Sequence, residues 1–309
     1  MTGKLKQLWP FGAGADDGDG SSATDGPSFS TAMGELVANL HYEIVPMTSI
    51  DQAIDDLPPG AHVSVTCSPA KGIGATLEYS DRLIGLGHRP IPHLAARMVE
   101  SEEDAAKVAG WLRERGLPEV YVIAGDAPEP AGPYEGALPF LRDFLAAEPG
   151  VGRIGVAGYP DGHAMIPPDV VREQLHAKQA LLGEHGLGGW ISTQMCFDTD
   201  TIATWLETER AAGIVLPVRL GVPGVVDRAR LMKMGTRLGI GTSLRYLSKN
   251  RSTVMQLMAP GGFDPTDMVV AFADDAERLG IEALHSFTFN AVADTRAWQE
   301  SIMRGGGAG

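Results

Sequence analysis

Apolar and polar positions along this chain fall in blocks rather than alternating residue by residue. Short runs that are apolar on consecutive positions occur at 41–47, 62–67, 90–95, 120–125, 154–159, 190–196, 215–220 and 284–289. A strand covered on both faces carries apolar side chains on both sides of its pleat, so these runs predict buried strands. Stretches with helical periodicity lie between them. Residues 101–115 give the sharpest one: Ser101 stands three positions before Asp104, Glu102 and Glu103 occupy the first turn, and Gly116 ends it. Residues 31–40, 168–182, 200–213 and 265–280 predict further helices. Eight strands with intervening helices point to a parallel (β/α)8 TIM barrel. An open doubly wound sheet is the alternative that strand counting leaves standing.

The flanks have a different texture. Residues 11–28 are rich in Gly, Asp and Ser and cannot bury enough apolar surface to offset the entropy of ordering. The expected organisation is a flexible leader over 1–30, one barrel domain over 31–304 and a loose glycine-rich tail over 305–309.

Composition narrows the classes. Apolar residues make up 44% of the 309, enough for a large core, and the net charge of -14 speaks against general nucleic-acid binding, which needs clustered Lys and Arg. No run approaches the roughly 20 apolar residues of a membrane span, and the N-terminus has no apolar signal-peptide core. Cys67 and Cys196 are too few for a disulfide scaffold. The expectation is a cytoplasmic protein without membrane or nucleic-acid partners; self-association into a homo-oligomer stays open.

In a β/α barrel, chemistry gathers at the carboxyl ends of the strands. Those ends carry Glu43, Thr66, His93, Asp126, Tyr159 with His163, Gln194 and Asn290. Glu43 lies within an apolar run, where desolvation would raise its pKa and suit it to general-acid work; a solvated strand end is the plain alternative. Asp126 follows Gly125, which permits close backbone approach to a flat ligand, but Asp is also a favoured cap. Gln194 can both donate and accept to a heterocycle edge, or be a satisfied polar strand end. Phe197 could stack on a ring, though a lone aromatic is more often core. His93 is by default a packed histidine. Gly72-Ile-Gly74 and Gly239-Ile-Gly241 resemble pieces of phosphate loops without the full spacing, and the second, which precedes Thr242, could equally start a helix. Met232, Met234, Met255 and Met258 are expected core filler. No metal-binding motif appears, so no metal is expected.

Taken in order, these segments resemble the methylenetetrahydrofolate reductase family of the bacterial single-domain type. The resemblance rests on Tyr42-Glu-Ile-Val-Pro46, Val63-Ser-Val-Thr-Cys67, Pro92-His-Leu94, Gly125-Asp126, Ala157-Gly-Tyr-Pro-Asp-Gly-His163 and Thr193-Gln194 with Phe197-Asp198. It spans residues 35–295. It implies a barrel that converts methylenetetrahydrofolate to methyltetrahydrofolate with FAD as cofactor and NADH or NADPH as co-substrate. Glu43 would be the acid that opens the folate's five-membered ring, and Asp126 would contact the pterin and tune the flavin. Gln194, Asp126, Thr66 and Phe197 would bind substrate. Thr66, His93, Gly125, Asp126, Tyr159, His163 and Lys178 would line the cofactor.

The departures are specific. Ala124 stands where the family has the Arg of Arg-Gly-Asp, Cys67 replaces an aromatic, and Ala291 replaces an Arg near the last strand, with Arg230 a candidate to compensate. Ala124 motivates a rival without flavin, in which nicotinamide passes hydride directly. A non-redox folate-binding partner of a methyltransferase is a second rival. An aldolase-type barrel would need a Lys inside a strand, and none of the eight offers one.

Overall fold

A computed structural model describes residues 31–227, 230–231 and 263–305. The leader expected over 1–30, Gly239–Gly241 and the four methionines named above lie outside the described residues. So do positions 306–309 of the expected tail.

The apolar runs pair in chain order into a closed, all-parallel eight-stranded barrel. Its strands are β1 (Leu40–Ile44), β2 (His62–Val65), β3 (Arg89–Ala95), β4 (Glu119–Ile123), β5 (Arg153–Gly158), β6 (Gly188–Thr193), β7 (Val218–Pro223) and β8 (Ile281–Phe287). The ring closes where β1 pairs with β8, Leu40 opposite Leu284 and Glu43 opposite Phe287. The described helices are α1 (Thr31–Ala38), α2 (Ile50–Asp55), α3 (Gly72–Gly85), α4 (Glu102–Arg115), α5 (Ala137–Ala146), α6 (Pro168–Glu184), α7 (Thr199–Ala211), α8 (Thr266–Ala273), α9 (Ala276–Leu279) and α10 (Val292–Gly305). The open doubly wound sheet is thereby excluded.

Local chemistry sets the helix ends. Ser101 Oγ accepts from the Asp104 amide at 3.2 Å, and Gly116 closes α4 in the left-handed region at φ 61°. Pro168 sits in the first turn of α6, where a missing N–H costs nothing. The glycines at 72 and 74 open α3; they are a helix start.

Most boundaries shift by a few residues from the sequence expectation, and three of the differences have a local cause. The seventh strand begins at Val218 rather than 215, because the lead-in spends its hydrogen bonds on helix side chains. Val215 and Leu216 donate to Gln179 Oε1, while Arg210 donates to the carbonyls of Ile214 and Leu216. The eighth strand ends at Phe287, since Phe289 and Asn290 turn with φ of 49° and 64°. The helix expected over 265–280 is two, split at Asp274 and Asp275, residues that favour caps over helix interiors.

Hydrophobic packing occupies the space between the strands' outer faces and the helices, with Tyr42, Ile44, Val63, Leu220 and Leu284 among its fully buried members. The barrel's interior is polar and aromatic in layers. At the amino ends of the strands, Arg219 reaches Glu119 (2.7 Å) and Glu282 (3.1 Å), and Arg153 reaches the same two carboxylates (3.1 and 2.7 Å). The Arg219 guanidinium lies 3.8 Å from the Trp190 ring centroid. Above this sit Ile91, Tyr121 and Trp190. Gly155 faces that layer, and a side chain there would collide with both Trp190 and Tyr121.

Candidate functional site

The next layer up holds the chemistry. Glu43 is the fourth residue of β1 and points inward, and its Oε2 lies 2.9 Å from His285 Nε2 on β8. Its backbone carbonyl accepts from Thr288 Oγ1 at 2.6 Å, which ties β1 to the turn after β8. His93 of β3 completes the group: Glu43, His93 and His285 each offer one ligand atom, all within 4.8 Å of one another, and all three residues are buried. The His93 ring lies 4.6 Å from that of Tyr121 and 6.2 Å from that of His285. Tyr121 belongs to β4, across the barrel from β8, yet its ring is 6.3 Å from His285, so these side chains share the interior. Burial, aided by the neighbouring His285, holds His93 well below the ordinary histidine range, so it is a neutral imidazole near pH 7. Burial first, and then the nearby Tyr159 and Glu43 charges, push the Tyr121 phenol well above its usual range.

The rim is built by the loops that follow the strands. After β4 the chain turns at Gly125 (φ 89°), where a Cβ would approach that of Ala95 to 2.7 Å. The close approach is to the end of β3, and it places Asp126 next in line. Tyr159 and His163 meet edge to face with centroids 4.9 Å apart. Burial and then the charge of Asp126 push the Tyr159 phenol up to about 12. His163 is lowered by burial, against an opposing pull from Asp126. Asp126, Tyr159 and His163 therefore act on one another, and Tyr159 links them electrostatically to Tyr121 and so to the Glu43 layer.

Among the described residues, the remaining sequence candidates share no hydrogen bond or ring contact with this group. Thr66 follows β2 directly, with its Oγ1 buried and without a hydrogen-bond partner among the described residues. Gln194 uses its amide oxygen on the Met195 N–H at 2.8 Å. Phe197 is buried edge-on against Phe263, 5.4 Å between centroids. Lys178 lies on α6, and burial lowers its pKa to about 8. Asn290 clamps two loops: its side chain bonds Val45 N (2.8 Å), Val45 O (2.9 Å) and Ser49 Oγ (3.1 Å). Arg230 is exposed.

Sequence reasoning missed His285 and Tyr121. Each occupies an inward position in a run otherwise read as uniformly apolar, and a polar residue at that parity was the available signal.

No family model matches the chain. Over 126 residues, 38% of its length, it is 33% identical to methylenetetrahydrofolate reductase 2 of Saccharomyces cerevisiae. Over that stretch the likeness is to a methylenetetrahydrofolate reductase. Methylenetetrahydrofolate reductase 1 of Schizosaccharomyces pombe is 38% identical over 69 residues, 22% of this chain. The chain spans only 20% of the first reductase's length and 11% of the second's. Among solved structures, a protein from Clostridium thermocellum that binds two copies of 5-methyl-5,6,7,8-tetrahydrofolic acid superposes with a TM-score of 0.55. It covers 88% of this chain and 100% of its own at 10% identity, a likeness of fold.

The cofactor implied by the reductase resemblance, FAD, can be tested against the residues present. A ring system finds plausible company at Tyr159, His163 and Asp126. Among the described residues the charged dinucleotide end does not. Ala124 brings no charge, and the guanidinium beside it, Arg97, is committed to the carbonyls of Ala127 (2.8 Å), Pro128 (2.8 Å) and Glu135 (3.0 Å) and to the Glu135 carboxylate. Apart from imidazoles, Lys178 is the one basic member of the predicted set, and it is buried. Among the described residues no helix is long and apolar enough to cross a membrane.

Proposed function

We propose that this chain reduces methylenetetrahydrofolate to methyltetrahydrofolate with hydride from NADH or NADPH, and that Glu43 supplies the proton. The observation that carries this reading is a buried carboxyl group inside the barrel, 2.9 Å from an imidazole and linked through Tyr121 to Tyr159, Asp126 and His163. Opening the folate's five-membered ring breaks a C–N bond. The nitrogen leaves with the electron pair and takes the proton from Glu43, and the resulting iminium carbon accepts hydride. One folate, one reduced nicotinamide and one proton are consumed per turnover. His285 shares a hydrogen bond with the Glu43 carboxyl and keeps it facing the cavity. Asp126, on the rim, balances positive charge as the iminium develops. Thr66 and Gln194 are assigned to substrate or nicotinamide by motif position, and Phe197 supports the substrate side from the core. The aromatic layer below closes the barrel on the side away from the mouth.

Ala124 and the commitment of Arg97 favour direct passage of hydride from nicotinamide to folate within a ternary complex. Freshly purified protein tests this. The expected result is a colourless protein that oxidises reduced nicotinamide only when methylenetetrahydrofolate is added. A yellow protein carrying one flavin per chain would return the flavin route to first place. Folate binding with no nicotinamide oxidation would identify a non-redox folate-binding partner of a methyltransferase instead.

A further inference from the structure

We propose that Glu43, His93 and His285 together form a binding site for one borderline divalent cation of the Zn2+ type. Two imidazoles and one carboxylate are a donor set that holds such cations while leaving a coordination position open. Here the three come from β1, β3 and β8 and meet inside the barrel with their ligand atoms within 4.8 Å of one another. The closest pair, Glu43 Oε2 and His285 Nε2, is 2.9 Å apart. Ligand atoms around a tetrahedral Zn2+ stand about 3.4 Å apart. No pair therefore needs to close by more than about 1.4 Å, shared between two side chains, while the Glu43–His285 contact opens slightly.

A second observation points the same way. His93 is buried with its Nε2 lacking any hydrogen-bond partner among the described residues, a state that costs free energy unless something uses the nitrogen. Glu43 is the most exposed of the three at 9%, so the open position faces the mouth, where the cation would enter and where water or a ligand would complete its shell. Nothing in the spacing along the chain announces this group, since positions 43, 93 and 285 belong to no local motif. The barrel alone brings them together.

The metal site does not depend on the reductase reading. Titration of chelator-treated protein with Co2+, without folate or nicotinamide, separates the two ideas. The expected result is saturation at one cobalt per chain with visible absorption bands of a low-symmetry N/O site, displaced by Zn2+. His93→Gln and His285→Gln should each weaken binding by more than about 100-fold, beyond the range that changes outside the ligand shell produce. Thermal melts confirm that each variant folds. Glu43→Gln, nearly isosteric, replaces any variant that does not, and must weaken binding likewise. Absence of saturable cobalt binding by the wild-type chain, or bands that persist in the folded variants, would overturn the site. Failure to oxidise nicotinamide with folate in metal-free protein would overturn the reductase reading and leave the site intact.

Discussion

Glu43 and His285 are 242 positions apart along the chain and 2.9 Å apart in the barrel. That contact sets the first residue-scale expectation. Glu43→Gln keeps size and hydrogen bonding but cannot release a proton, so folate reduction should fall by about 10²–10⁴-fold, the usual range for losing a general acid. Nicotinamide affinity, followed by its fluorescence, should hold; a parallel loss of both would remove Glu43 from the acid role. Lys178 supplies a pH test. Its folded pKa is lowered from 10.5 to about 8 by burial, and among the described residues it has no ion pair. Between pH 8 and 10.5 the unfolded chain therefore binds more protons than the folded one, and stability rises with pH across that window. Below pH 8 the buried cation costs up to about 3 kcal/mol. Lys178→Met should raise Tm at pH 7, with the advantage shrinking as pH climbs to 10.5; an advantage independent of pH would refute this. Glu43 and Lys178 were both singled out from sequence, because a carboxylate in an apolar strand stands out and because Lys178 matched a family position. His285 was not, although it lies in the same kind of run, for its partner is supplied by closure of the ring rather than by neighbours in sequence.

At the scale of elements, strand existence and order were legible because burial on both faces writes itself as unbroken apolar runs. Boundaries were less so. The 215–217 stretch is apolar enough to pass for strand, but Gln179 and Arg210 from two helices claim its backbone, a competition invisible along one dimension. α2, α3, α5 and α10 carry weaker signals than α4, with its cap, acidic first turn and terminal glycine. Asn290 shows why a polar residue at a strand end can mislead: it was counted with the mouth, yet all three of its side-chain bonds go to the β1–α2 loop. Its φ of 64° also suits Asn better than most residues. Asn290→Ala should cost about 2–4 kcal/mol, from the lost bonds and the backbone conformation together. Denaturant unfolding would measure it. A change under about 0.5 kcal/mol, ordinary for a surface substitution, would mean the clamp is dispensable.

For the whole molecule, the two ends of the barrel do different work. The amino end is closed by Arg153 and Arg219 between Glu119 and Glu282, with Arg219 against Trp190. Arg219 is almost fully buried, and removing one partner from a buried charge network costs about 3–5 kcal/mol. Arg219→Met should lower the urea midpoint accordingly while leaving kcat within about twofold, because the reacting layer is separated from it by a layer of rings. A selective loss of kcat in a stably folded variant would show the ends to be coupled. That ring layer exists because Gly155 yields its side-chain volume to Trp190 and Tyr121. Its presence seals the barrel beneath the Glu43 layer. Whatever reaches Glu43 must therefore arrive and leave by the carboxyl ends of the strands, one doorway for entry and exit alike.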